Sequence, residues 1–159
     1  IEVLLQAITQ MPDNNWRLLV AGRGRDEYVV ALKAKYPNST IEWLGFTKPD
    51  DFYPQIDLLL VPSLWPEPLP SVIPEAAGHN IPVIISDMGG MPEFLEMGIP
   101  GITVPAGDVE RLANEMKHAL QGQGVMALPA IKAQNWRDEL NESTVVAHYV
   151  ACYKDCMNT

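Results

Sequence analysis

The chain has 159 residues and a formal net charge of −9, with 47% apolar and 19% charged residues. That length suits one globular domain with a hydrophobic core of its own. An acidic surface repels phosphate backbones and anionic lipid, so nucleic acid and membrane surfaces are not expected partners. No apolar run approaches the roughly 18 residues that span a bilayer, and Ile1-Glu2-Val3-Leu4-Leu5 lacks the basic start and the cleavage site of a signal peptide. The first residue is not Met, which leads to the expectation that the chain is cut from something longer. Cys152 and Cys156 sit four apart near the end. They are read as two half-buried helix residues, not a disulfide framework or a zinc site, and a reducing cytoplasm fits them.

The period of the apolar residues alternates along the chain. Residues 1–10 read as an amphipathic helix with Leu4, Leu5 and Ile8 on one side. A loop leads to a short apolar strand over 16–21, which stops at Gly22. Residues 26–35 read as a helix with Val29, Val30 and Leu32 inward. A strand over 40–44 ends at Gly45, residues 50–53 make one helical turn, and a third strand covers 56–61. A proline-rich loop comes next, then a helix over 71–78 with Ser71 as its cap. The fourth strand, within 81–85, starts in earnest at Val83, because Pro82 cannot donate to a ladder. Residues 91–95 form a helical turn, 101–104 a fifth strand and 108–120 a helix. A glycine-containing linker leads to two closing helices, over 128–140 and 143–157.

Short apolar strands alternating with helices predict parallel βαβ units in a doubly wound α/β sheet, Rossmann-like in plan. In such sheets ligands bind beyond the carboxyl ends of the strands. After the first strand comes Gly22-Arg23-Gly24, which turns tightly; with Glu27 where a third glycine belongs, it is a poor dinucleotide fingerprint. After the second comes Gly45-Phe46-Thr47-Lys48, which reads either as a turn with a buried aromatic or as one whose backbone groups pair with the edge of a nucleobase. After the fourth comes Ser86-Asp87-Met88-Gly89-Gly90-Met91-Pro92-Glu93, a candidate anion nest leading into a helical turn.

The loop after the third strand, Pro62-Ser63-Leu64-Trp65-Pro66-Glu67-Pro68-Leu69-Pro70-Ser71-Val72-Ile73-Pro74-Glu75, is the most informative. Glu67 and Glu75 have seven residues between them, one in the stiff loop and one in the first turns of the helix. The two glutamates alone favour the plainer reading, a solvated loop charge at Glu67 and a carboxylate offsetting the helix dipole at Glu75, and it is the surrounding residues that reverse it. The amides at this helix start suit a phosphate, less those lost at Pro68, Pro70 and Pro74. His79, His118 and His148 have no metal-ligand spacing and read as surface or packing residues.

Taken in order, these segments resemble glycosyltransferase family 4 and its GT-B relatives. The resemblance rests on Gly22-Arg23-Gly24, Leu44-Gly45-Phe46, Pro62-Ser63, the E-x7-E pair Glu67 and Glu75, Ile81-Pro82-Val83-Ile84 and Gly89-Gly90-Met91-Pro92-Glu93. Gly101 and the Gly107-Asp108 turn also fall where that family has them. It covers residues 1–120, with a weaker echo in Trp136 and Tyr153 of the closing helices.

The resemblance implies the C-terminal, donor-binding half of a retaining transferase, a single nucleotide-sugar-binding domain with a core over 1–120 and closing helices over 121–159. It implies a UDP-, GDP- or ADP-sugar as substrate, no metal, and an N-terminal acceptor domain as partner. Glu75 would accept from the ribose diol, since a carboxylate offers two acceptor oxygens. Glu67 would meet the donor sugar or the charge growing at its anomeric carbon. Leu69 and Ser71 would face the sugar and diphosphate with their amides, as Gly89 and Gly90 would from the next loop. Phe46 would meet the base, and Gly22 and Gly24 would line the cleft.

The sequence departs from the family in two places. The family's Arg and Lys-Gly pair belong to a strand and loop before the first helix, and both strand and pair fall ahead of Ile1. Arg23, Arg25 or Lys48 would only partly replace that cationic clamp, so the chain alone is expected to be inactive. His79-Asn80 stands where small residues are usual, and Asn tolerates the left-handed turn a glycine would take. Two other readings stay open: a non-catalytic nucleotide- or partner-binding module of the same fold, and a nucleotide-sugar epimerase.

Overall fold

The computed structural model describes residues 1–12, 15–128 and 141–157. The elements run α1 (Glu2–Ile8), β1 (Leu18–Ala21), α2 (Asp26–Lys35), β2 (Ile41–Gly45), α3 (Pro49–Phe52) with a 3-10 turn at Tyr53–Gln55, β3 (Leu59–Val61), α4 (Val72–Gly78), β4 (Val83–Ser86), α5 (Met91–Glu96), β5 (Gly101–Val104), α6 (Val109–Leu120), a 3-10 turn at Gly124–Ala127, and α7 (Glu142–Met157).

Every strand pair is parallel. β1 pairs with β2, and β3, β4 and β5 pair in that order. β4 shows the doubly wound plan in its own alternation, because successive side chains of a strand point to opposite faces. Ile84 packs with Leu4, Leu5 and Ile8 of α1 and with Leu112 and Met116 of α6. Val83 and Ile85 pack on the other face with Ile73, Ala76 and Ala77 of α4 and Met91 and Phe94 of α5. Helices therefore cover both faces of the parallel strands at β4, each burying an apolar stripe.

The sheet is split between β1 and β3. Both strands line one apolar groove of about 660 Å³, β1 through Leu18 and Leu19 and β3 through Leu59 and Leu60, with Leu4 and Ile8 of α1 along it. Among the described residues the parallel order is β2-β1 and β3-β4-β5, with no strand paired between β1 and β3.

Several local expectations change. Val30 is 65% exposed, not inward. The buried stripe of α2 runs through Val29, Leu32 and Tyr36, and Val30 lies one 100° step off it. Ser71 stands at the N-cap of α4 but makes no capping bond with its side chain. Its φ of −61° and ψ of −25° are already helical, whereas a capping side chain needs extended backbone to reach back. Asp108 does cap α6, accepting from the N–H of Arg111 at 2.8 Å. Cys152 and Cys156 are exposed, not half-buried. Only Thr144 and Val145 of α7 are partly buried among its described side chains, so that helix has little beneath it. The helix expected over 128–140, with Trp136, lies outside the described residues apart from Leu128. No helix among the described residues is long and apolar enough to cross a membrane.

Candidate functional site

The carboxyl ends of β1, β2 and β3 open onto a second cleft, of about 600 Å³. Its walls include Gly22, Phe46, Tyr53, Ser63, Trp65 and Glu75. A shift of register at the end of the β1–β2 ladder shapes one wall: Val20 lies opposite Trp43, but Ala21 lies opposite Gly45. Leu44 is thus an extra residue on β2, as in a β-bulge, which bends the strand and re-aims the turn at its end. Gly45 turns at φ 69° and its carbonyl accepts from the N–H of Gly22 at 2.7 Å. Phe46 is left 65% exposed, with the guanidinium of Arg23 over its ring at 4.9 Å.

Glu75 lies on α4 and faces the same cleft. Its position is held by Tyr53, whose hydroxyl donates to Glu75 Oε2 at 2.9 Å and approaches the Val72 carbonyl oxygen at 3.2 Å. Tyr53 is only 3% exposed. Burial, helped by the hydrogen bond to Glu75 and by its negative charge, holds the phenol well above the usual tyrosine range. The sequence pointed to Glu75 through its spacing from Glu67. It gave no hint of Tyr53, which is 22 residues away and belongs to a turn between two strands.

Glu67 is half-buried and is not part of the cleft wall. The Ser63 hydroxyl, which is part of that wall, donates to Glu67 Oε1. The Glu67 amide donates to the Trp65 carbonyl at 2.8 Å, closing a tight turn. Trp65 stands out from that turn, 78% exposed. The Glu67 carbonyl in turn accepts from the Gly90 amide at 2.9 Å.

That last contact bears on the glycines after β4. A Cβ on Gly89 would meet the Glu67 carbonyl oxygen at 2.2 Å, and one on Gly90 would meet the Pro68 carbonyl oxygen at 1.9 Å. The pair therefore lies directly against the backbone of the Glu67 loop, and the Gly90 amide is occupied by that loop. Leu69 and Ser71 are exposed and stand beside the cleft wall rather than in it, as does Gly24, whose added Cβ would touch Val29 at 3.1 Å. Of the residues singled out from sequence, the cleft brings Gly22, Phe46 and Glu75 together. Gly89, Gly90 and Glu67 form a second group, joined to the first through Ser63. Among the described residues, no group of three or more His, Cys, Asp or Glu comes together as a metal site would require.

Comparison with known proteins gives the chain's family and its fold. The family model described as Glycosyl transferases group 1 matches residues 1–122. Granule-bound starch synthase 1 of Pisum sativum is 27% identical over 145 residues, 82% of this chain and 24% of that protein. The amylovoran biosynthesis glycosyltransferase AmsK of Erwinia amylovora is 26% identical over 116 residues, 68% of this chain and 28% of that protein. Among solved structures, a glycosyltransferase from Rickettsia africae superposes with a TM-score of 0.80 at 20% identity, over 98% of this chain and 44% of that one. HepE of Anabaena, in complex with UDP-glucose, gives 0.78 at 23% identity, over 98% and 44%. The chain thus spans about a quarter of the curated relatives' length, and under half of the solved chains. The match over residues 1–122 covers most of the sequence and includes both strand-end groups, and on that ground the chain belongs to the Glycosyl transferases group 1 family.

Proposed function

We propose that this chain is the donor-binding, C-terminal half of a retaining glycosyltransferase of family 4, acting in the cytoplasm on a UDP-, GDP- or ADP-sugar. The cleft carries this reading: it sits at the carboxyl ends of parallel strands, where doubly wound sheets take nucleotides, and Gly22, Phe46 and Glu75 all face it. HepE, a structure of the same fold, was solved with UDP-glucose bound, which supports the choice of ligand class.

In this reading residues 1–120 form the binding core and 121–159 the closing segment of one domain. Glu75 accepts from the ribose hydroxyls and the backbone at Phe46 meets the base. Gly22 and Gly24 let the chain pass close to the nucleotide. Leu69 and Ser71 offer their amides to the sugar and diphosphate. Cleavage of the donor leaves negative charge on the diphosphate, which needs donors aimed at it. The anomeric carbon becomes cationic, which a nearby carboxylate favours, and Glu67 of the E-x7-E pair fills that role. Gly89 and Gly90 serve the same site by seating the Glu67 loop. No metal is called for. Transfer itself needs an N-terminal acceptor domain across the cleft.

Calorimetric titration with UDP, GDP and ADP tests this, on the chain and on Glu75→Ala. One nucleotide is expected to bind, and the variant to bind it about 10- to 100-fold more weakly, the range for losing a hydrogen bond to a charged group. Binding of none, or binding indifferent to the substitution, would overturn the reading.

A further inference from the structure

We propose that Tyr53 is a positioning residue for the ribose: it locks the Glu75 carboxylate so that one oxygen is presented to the sugar diol. This rests on the assignment of Glu75 to the ribose and adds to it a residue that no sequence pattern marked.

The Tyr53 ring is firmly held. It is 3% exposed. It is stacked on His79 with centroids 5.2 Å apart and planes at 24°, and meets Phe52 edge-on at 5.5 Å and 70°. Two χ angles fixed by neighbours on both sides leave the hydroxyl at one place. From there it reaches Glu75 Oε2 at 2.9 Å and the Val72 carbonyl oxygen at 3.2 Å. One phenol thus bridges the backbone at the start of α4 and a side chain in its first turns. A glutamate has three rotatable bonds and loses considerable entropy when a ligand fixes it. A bond to a phenol already in place removes that cost before the nucleotide arrives.

The bond also sorts the two carboxylate oxygens. Oε2 is engaged with Tyr53, so Oε1 is the atom left to face the cleft that Glu75 and Tyr53 both line. The phenol donates to the carboxylate, so it stabilises the charged acceptor that a diol needs. Tyr53 also connects the two sides of the binding surface: its turn comes after β2, whose end carries Phe46, and Glu75 lies on the helix after β3. It therefore ties the ribose position to the base position.

The test compares ribose with its deoxygenated form. UDP, GDP and ADP are each titrated beside their 2′,3′-dideoxy analogues, on the chain, on Tyr53→Phe and on Tyr53→Phe in the Glu75→Ala background. The chain is expected to prefer the ribose form of one nucleotide by about tenfold or more. Tyr53→Phe is expected to cut that preference severalfold while barely changing the affinity for the dideoxy form. In the Glu75→Ala background the same change should leave the preference where it was. A merely structural tyrosine would weaken both forms alike, and an unchanged preference ratio overturns the proposal. Should Tyr53→Phe fail to fold by circular dichroism, His79→Ala keeps the hydroxyl but removes the stacked ring. A partial fall in the ratio is then expected, and no fall overturns the proposal. If the unaltered chain binds ribose and dideoxy forms equally, it is the ribose reading of Glu75 that fails, and Tyr53's role fails with it.

Discussion

The Gly90 amide donates to the Glu67 carbonyl at 2.9 Å, so the loop after β4 holds the loop after β3 by its backbone. Side chains are excluded from this contact. A Cβ on Gly90 would lie 1.9 Å from the Pro68 carbonyl oxygen, far inside any real contact, and the obstacle is backbone, not the end of a flexible side chain. Gly90 has φ −84°, open to any residue, so the requirement for glycine is one of space alone. Gly90→Ala must therefore push the Glu67–Pro68 segment away. The expected cost is about 1–3 kcal/mol of stability, the range for overpacking a close-fitted site. Denaturant titration measures it, and a loss below about 0.5 kcal/mol would show that the loop yields freely. Nucleotide binding should weaken as well, because Ser63, tethered to Glu67, is part of the cleft wall.

Hydrophobic alternation and the position of the strand ends are legible in the sequence because each is local, whereas the order of the strands is made by pairing between distant segments and comes from the fold. β4 starts at Val83, as Pro82 predicts, since a missing N–H acts on the residues beside it. Position after a strand and the family resemblance together single out Gly22, Phe46 and Glu75, and the fold brings these three to one cleft. Neither singles out Tyr53 or Ser63, whose importance lies in bonds to Glu75 and Glu67 made by the fold. The sequence also reads Gly89-Gly90 as a nest for an anion, whereas the Gly90 amide is taken by the neighbouring loop. A glycine pair permits close approach, but only the packed structure tells what approaches. Val30 faces outward for a related reason: α2 buries a single narrow stripe, and the unbroken apolar run Val29-Val30-Ala31-Leu32 does not reveal which of its residues lie on it.

Ser86, the last residue of β4, is fully buried, and its hydroxyl has no hydrogen-bond partner among the described residues. A buried hydroxyl without a partner has lost its bonds to water and regained nothing. Ser86→Ala removes the orphaned group and leaves only a small void. The variant is expected to match the parent or exceed it by up to about 1 kcal/mol in urea denaturation. A loss of more than about 1 kcal/mol would mean the hydroxyl is satisfied after all.

Glu115 is buried on α6 against the core, which is unusual for a carboxylate. Arg111, one turn earlier, reaches it at 2.8 Å, and His118 lies 3.5 Å from its other oxygen. Arg111 is 56% exposed, so solvent screens its side of the pair. Its loss would still leave Glu115 facing the core with one weaker partner. Arg111→Ala should cost about 1–2 kcal/mol, more than a surface pair and less than a fully buried one. Glu115→Gln, which needs no counter-charge, should make the later loss of Arg111 nearly free. A double-mutant cycle by thermal unfolding measures this coupling, and strict additivity would deny the pair any role.

Tyr53 makes the fold sensitive to alkali in a calculable direction. Its phenol has a folded-state pKa raised above the ordinary value of 10.0, first by burial and then by the bond to Glu75 and the charge there. The folded chain keeps a proton that the unfolded chain releases, so the unfolded state binds fewer protons and stability falls as pH rises. This contribution is whole below about pH 10 and declines steadily above it. Tyr53→Phe has no proton to lose. Its stability curve should therefore be flatter than the parent's between about pH 10 and 12, even though it starts lower at neutral pH for want of the hydrogen bond. Urea denaturation of both chains at half-unit steps from about pH 8 upward gives the comparison, with the lysines and other tyrosines common to both. Parallel curves would mean that Tyr53 titrates like an exposed tyrosine, and that the hydrogen bond to Glu75 does not hold its proton.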